Sequence, residues 1–226
     1  YKLTDSIGKF GIEAACEDEL RGKSGRRIIS GDSASGTEAR RGNTVWLTLD
    51  SELQKATATA LGENVTAAKN AGADDCESGA AVMLDVSDFS VLAAASCPTY
   101  DLNRYSSDDA YYAKLANDKT SPMYNRALSG TFAWGSVFKP VVALAALEEK
   151  IIKPTDTVNC TQKYDYYPSN VVQCMHRHDT VDLRNAITQS CNYYFAETGR
   201  KLGIDTMYLY AERFGLGEYT GIEIEE

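Results

Sequence analysis

The stretch GTFAWGSVFKPVVALAALEEK, residues 130 to 150, sets Ser136 three positions before Lys139. Side chains three apart on a helix share a face, so hydroxyl and amine come within hydrogen-bond reach. That pair makes acyl transfer available. A serine alcohol is a weak nucleophile at neutral pH and needs an adjacent base, and lysine serves once burial or nearby positive charge depresses its pKa. Pro140 has no amide N–H and is cheap only in a first helical turn, which places Ser136 at or just before a helix N-terminus. There the helix dipole favours developing negative charge, and a free backbone N–H can face an oxyanion. Gly135 lets backbone and substrate approach closely. Ser-x-x-Lys also recurs by chance, and a helix cap followed by a solvated lysine has the same spacing.

The elements that must position this pair follow from pattern. Val45, Leu47 and Leu49 alternate with Trp46 and Thr48 in TVWLTLD, which predicts a strand from Thr44. A helix follows in SELQKATATALGENVTAAKNA, opened by a capping box, Ser51-x-x-Gln54. AAVMLDV and SVLAAAS flank SDF as a hairpin. Residues 97 to 130 mix turn residues with tyrosines over a span long for an idle connection, which reads as a binding face or as surface packing. Helix signals return at 136–150, around 182–201 and at 204–214. The order implies an α+β domain in which a largely antiparallel sheet packs on a helical cluster. Residues 1–43, polar and weakly periodic, read as a linker or the tail of a preceding domain, and residues 44–226 as the main domain.

Composition narrows the function. The 226 residues carry 43% apolar residues, enough for a sizeable core. The formal charge of −9, with no long basic cluster, argues against nucleic acid. No run approaches the roughly 20 apolar residues of a membrane span. The six cysteines form no C-x-x-C pair. Cys160, Cys174, His176 and His178 lie near one another in the chain, but without the short paired spacing of structural zinc sites, so no metal is expected.

A second motif, Ser190-Cys191-Asn192 in QSCNYYF, stands 54 positions beyond Ser136. Ser-x-x-Lys followed by Ser-x-Asn is part of a penicillin-binding protein and β-lactamase signature. With TVWLTLDSELQ, GAAVMLDVSDFSVLAAASCPTYDLN, NRALSGTFAWGSVFKPVVALAALEE and AITQSCNYYFAETGRKLG, the chain resembles the transpeptidase domain of penicillin-binding proteins over residues 42 to 224. GKFGIEAACEDELRGKSG, residues 8 to 25, resembles the segment joining pedestal and transpeptidase domains in the monofunctional class B members.

The resemblance implies the penicillin-binding protein/β-lactamase-like fold, an α/β-type sandwich, and a D,D-transpeptidase acting through an acyl-serine. Ser136 would be acylated by the D-Ala-D-Ala carbonyl of a peptidoglycan stem peptide or by a β-lactam. Lys139 would take its proton, Ser190 would relay a proton to the leaving amine, and Asn192 would hold the substrate amide backbone, with Gly135 and Trp134 also binding substrate; the Trp134 indole either narrows the groove or covers the helix start. It implies no cofactor, partners among the cell-wall synthesis proteins, and a site outside the cytoplasm reached through an upstream membrane anchor. The residue-level alternatives are a helix cap for Ser190 and a turn residue for Asn192. Rival functions are a β-lactamase or β-lactam sensor, and a non-catalytic domain that binds peptidoglycan or partners.

The chain also departs from the family. Lys-Thr-Gly, the third motif, is absent after GEYTGIEIEE, so the fold is expected incomplete at its C-terminus and the 226 residues alone are expected to transpeptidate little. Trp134 stands where the family has proline, and Asp179 where it has glycine after histidine. A redox-sensitive Cys174–Cys191 pair would pull on the loop carrying Ser190 and Asn192.

Overall fold

A computed structural model of the chain describes residues 7–30 and 33–224. The outer ends of the two spans expected above, residues 1–6 and 225–226, lie outside the described residues. The chain divides into two compact units, Tyr1–Thr131 with Ile222–Glu226, and Phe132–Gly221.

The first unit begins with short helices α1 (Gly11–Ala15) and α2 (Glu17–Leu20) and a hairpin of β1 (Arg26–Ser30) and β2 (Ser33–Thr37). The weak periodicity of this stretch hides real structure, held by polar bonds that hydrophobic pattern does not report. Gly8 N–H donates to Glu17 Oε2 at 2.8 Å, and Lys23 and Arg40 exchange backbone hydrogen bonds at 2.7 and 2.9 Å. Residues 44–49 form no strand. Among the described residues the hydrogen bonds of this segment to the hairpin beyond it are those of Thr48 Oγ1 to the Val91 carbonyl at 2.6 Å and Asp50 N–H to that of Leu92 at 3.0 Å. Alternation favours a strand, but a ladder also needs a partner edge along its length.

Helix α3 (Ser51–Asn70) is capped by Asp50, whose carboxylate accepts from the Glu52 and Leu53 N–H groups, both at 2.9 Å. The expected Ser51–Gln54 capping box is therefore displaced by one residue. Gln54 instead reaches β4. Strands β3 (Gly79–Leu84) and β4 (Val91–Cys97) pair antiparallel, as the hairpin pattern predicts. The Gln54 amide donates to the Ala94 carbonyl at 2.9 Å and accepts from its N–H at 2.8 Å. Gly79 allows close packing here, since a Cβ would sit 3.1 Å from Leu61 Cδ1. Gln54→Ala leaves both Ala94 groups without their partner, an expected loss of about 1–3 kcal/mol, measurable as a lower denaturant midpoint at unchanged slope. Residues 98–130 carry short helices α4 (Leu102–Tyr105), α5 (Asp109–Ala116) and α6 (Arg126–Ser129). Their tyrosines pack on one another, with Tyr105 at 5.3 Å from Tyr100 and 5.5 Å from Tyr112 between ring centres.

The second unit opens with a 3₁₀ turn, Gly135–Phe138, running into α7 (Lys139–Glu148). It continues with β5 (Val158–Cys160), β6 (Lys163–Tyr164), β7 (Val172–Gln173) and β8 (Asp179–Val181), where β5 pairs with β8 and β6 with β7, both antiparallel. Helices α8 (Leu183–Thr188), α9 (Asn192–Leu202) and α10 (Ile204–Arg213) complete it. Val141, Val142, Ala145 and Ala146 of α7 are buried in one cluster with Val181, Ala186, Tyr194, Phe195, Leu202 and Tyr210. Ala145 and Ala146 are fully buried, and their small side chains let helices approach closely. Burial of each large side chain contributes roughly 1.5–3 kcal/mol. All described strand pairs are antiparallel, so the α+β expectation holds, although the sheet consists of separate two-stranded ladders.

Candidate active site

All the motif residues lie in the second unit. Gly135 has φ +54°, a left-handed conformation natural to glycine, and a Cβ there would meet nothing within 4 Å. Glycine is thus required by the backbone turn, with open space beside it. Pro140 occupies the first turn of α7, and no side chain caps that helix. The Ser136 hydroxyl is therefore not a cap. It lies exposed in the 3₁₀ turn that leads into α7.

The helix signals around 182–201 resolve into two helices. Asp182 caps α8 by accepting from the Asn185 N–H at 2.9 Å, and α8 ends at Thr188. Ser190 then adopts φ +50°, a conformation costing an L-residue roughly 1–2 kcal/mol. Cys191, not Ser190, caps α9, its sulfur accepting from the Tyr194 N–H at 3.4 Å. Breaking the helix here turns the Ser190 carbonyl and hydroxyl towards α7.

Lys139 gathers the site. Its Nζ donates to Ser136 Oγ at 3.1 Å, Ser190 Oγ at 2.8 Å, the Ser190 carbonyl at 2.7 Å and Asn192 Oδ1 at 2.6 Å. Four acceptors surround three N–H bonds, so the amine can exchange among them. Ser190 Oγ donates to Ser136 Oγ at 2.7 Å, closing a triangle of two hydroxyls and one amine. Burial holds Lys139 below the ordinary lysine range, against an opposing pull from the nearby Cys174 and Cys191 sulfurs. The Phe195 ring, 5.7 Å from Nζ, supplies part of that apolar surrounding. A lysine of lowered pKa touching an exposed alcohol can take its proton directly or through Ser190. Trp134 stays 60% exposed beside Gly135, with no hydrogen bond or ring contact to this group among the described residues.

Two features escape sequence reasoning. First, the Gln173 carbonyl accepts from Asn192 Nδ2 at 2.9 Å, and a backbone carbonyl carries no sequence signal. Second, Cys160, Cys174, His178 and Cys191 bring their ligating atoms within 4.8 Å of one another, all but His178 buried. The Cys160–Cys174 and Cys174–Cys191 sulfur distances are 3.8 and 3.9 Å. These exceed an S–S bond of about 2.05 Å and match the edge, about 3.8 Å, of a tetrahedron with zinc–sulfur bonds of about 2.3 Å. Cys174 stands equally close to both neighbours, so the geometry does not single out the Cys174–Cys191 pair. Burial and the charges of His176 and Lys139 lower the His178 pKa, favouring the neutral ligand form. Three thiols and one imidazole fit a structural zinc site. Spacing along the chain groups Cys160, Cys174, His176 and His178 but not Cys191, which the helix break delivers from the second motif. Asp179 has φ +55°, which accounts physically for glycine at this place in the family pattern.

The chain matches the family described as penicillin binding protein transpeptidase domain over residues 79–226. It is 33% identical to a peptidoglycan D,D-transpeptidase MrdA of Haemophilus influenzae, covering 100% of this chain and 35% of the relative. The chain thus spans about a third of the length of such relatives. Its fold is similar to that of PBP2 of Pseudomonas aeruginosa in complex with WCK 5153, at TM-score 0.72 and 33% identity, covering 93% of this chain and 43% of the other. A complex between PBP2 and MreC from Helicobacter pylori gives TM-score 0.80 at 26% identity, covering 97% and 41%. Motif order, the Lys139-centred geometry and a match over most of the chain agree, and the chain belongs to the penicillin-binding protein transpeptidase family.

Proposed function

We propose that the protein carrying this chain is a peptidoglycan D,D-transpeptidase working through a serine ester. The observation that carries this reading is Lys139 Nζ at 3.1 Å from Ser136 Oγ and 2.8 Å from Ser190 Oγ. Ser136 Oγ attacks the carbonyl between the two terminal D-alanines of a stem peptide as Lys139 takes its proton. The C–N bond breaks, the leaving D-alanine receives a proton through Ser190, and a serine ester remains. An acceptor amine then attacks that ester, forming the cross-link and returning the proton to Ser136. A β-lactam enters the same first step, its ring nitrogen being the leaving group.

Support for cell-wall partners comes from the similarity to the PBP2–MreC complex, and we extend the reading to a site outside the cytoplasm, anchored by a segment upstream. Among the described residues no helix is long and apolar enough to cross a membrane. We read residues 1–43 as a linker or the tail of a preceding pedestal domain. The test is labelling of the full-length protein with a fluorescent penicillin, followed by peptide mapping. One ester on Ser136 is expected; a label on another residue, or none, refutes the reading.

A further inference from the structure

The hydrogen bonds around Asn192 pose an orientation problem. An asparagine amide has an oxygen end and a nitrogen end of nearly the same shape, and only its partners decide which faces where. Here Oδ1 faces the Lys139 amine at 2.6 Å, and Nδ2 faces the Gln173 carbonyl at 2.9 Å. Turned over, the amide would present N–H groups to a cation and an oxygen to a carbonyl. The Lys139 amine and the Gln173 carbonyl together set the orientation, and what holds Gln173 steadies Asn192 from the side away from Lys139.

Gln173 lies on β7, in a ladder of only two residue pairs, Lys163 with Gln173 and Tyr164 with Val172. A two-stranded ladder this short is not stable by itself. Its anchor is Tyr164, 7% exposed, whose hydroxyl donates to Glu197 Oε2 at 2.6 Å. Arg200 grips the same pair, Nε donating to the Tyr164 oxygen and to Glu197 Oε2, both at 3.0 Å, with a further N–H on Glu197 Oε1 at 2.9 Å. The Arg200 guanidinium, with the Tyr164 hydroxyl and Lys201, holds the Glu197 carboxyl down at about 2, so it stays ionised. The Tyr164 ring also stands edge-on to Tyr193, next in the chain to Asn192, at 5.0 Å. Glu197 and Arg200 belong to α9, the helix that begins at Asn192, so the connection returns to the residue it orients.

We infer that Tyr164, Glu197 and Arg200 are positioning residues, a brace between α9 and the β6–β7 ladder that fixes the amide orientation of Asn192 against Lys139. The inference rests on the transpeptidase reading. Among the described residues none of the three has a hydrogen bond or ion pair to Lys139, Ser136 or Ser190, and their hydrogen-bonded route to Lys139 runs through Asn192.

The test is a double-mutant cycle in the full-length protein, read as the rate constant of acylation by a fluorescent penicillin, with thermal midpoints measured alongside. Tyr164→Phe removes one hydroxyl and is expected to slow acylation about tenfold, the effect of one charge-assisted hydrogen bond. Asn192→Asp replaces the amide by a carboxylate whose two oxygens are equivalent, so no orientation remains to be set. In that background Tyr164→Phe is expected to change the rate less than twofold. Glu197→Gln, which keeps size and an acceptor for Tyr164, gives a second cycle should Tyr164→Phe fold poorly, with the same expected loss of effect. An undiminished effect in the Asn192→Asp background, or no effect in the native one, overturns the brace while leaving the transpeptidase reading standing. Absence of Ser136-dependent acylation in the unsubstituted protein overturns both.

Discussion

Lys139→Met is expected to slow acylation of the full-length protein by penicillin about 10³-fold, within the range that a positioned general base contributes. Methionine keeps an unbranched stem of similar reach but has no amine. Ser136 then loses its proton acceptor, and Ser190, at φ +50°, loses the donor 2.7 Å from its carbonyl. Lys139→Arg separates these two losses. A guanidinium can restore charge and hydrogen bonds but does not give up a proton, so its rate should fall nearly as far. An arginine variant keeping more than about a tenth of the native rate would show that Lys139 acts by position and not as the base. The pH profile supplies the sign. Burial lowers the Lys139 pKa, so the neutral amine appears at lower pH than for a free lysine. Acylation should rise with pH and level off below the ordinary lysine value of about 10.4. A rate still climbing at that pH would mean that the amine doing the work is not depressed.

Binding of zinc at the four-residue cluster is expected to raise the thermal midpoint by about 10 °C over the metal-free protein, the shift that about 3–5 kcal/mol produces in a domain of this size, and a chelator is expected to reverse it. The expectation follows from Cys160, Cys174, His178 and Cys191 with ligating atoms within 4.8 Å of one another. Without a metal, burial pushes the Cys191 thiol up to about 12, so the cluster does not ionise fully at neutral pH. A divalent cation reverses that balance and displaces the protons. The backbone N–H groups of Tyr193 and Tyr194, at 3.3 Å from Cys174 Sγ and 3.4 Å from Cys191 Sγ, already point donors at two of the sulfurs. Elemental analysis should find one zinc per chain, lost in Cys174→Ser. Metal-free protein with an unchanged midpoint would reject the site. Because Cys191 stands between Ser190 and Asn192, chelation should also slow acylation, linking a structural centre to the catalytic loop.

Several elements were legible because their determinants are local. The β3–β4 hairpin follows from two apolar runs around a short turn, and α7 from an apolar run with proline in its first turn. Locality also marks where reading failed. The cap of α3 moved from Ser51 to Asp50 because Gln54, the other half of the expected box, is engaged with Ala94 on a strand 40 positions away. The strand expected from Thr44 lacks a ladder because its alternation says nothing about a partner edge. The helical region around 182–201 breaks at Ser190, where a left-handed residue is held by bonds to Lys139 and Ser136, and no local signal marked that break.

Sequence alone was enough to bring Ser136 and Lys139 together at a helix start and to point to the family, since Ser136, Lys139 and Pro140 are joined by one turn of backbone and the motif order is a linear property. Folding alone brings Ser190 and Asn192, 51 and 53 positions from Lys139, onto its amine, and Cys191 beside Cys160, Cys174 and His178. Such meetings depend on where a helix breaks and which carbonyl faces which amide. Those are set by packing and hydrogen-bond partners contributed from distant parts of the chain, and no window of sequence contains both sides of them.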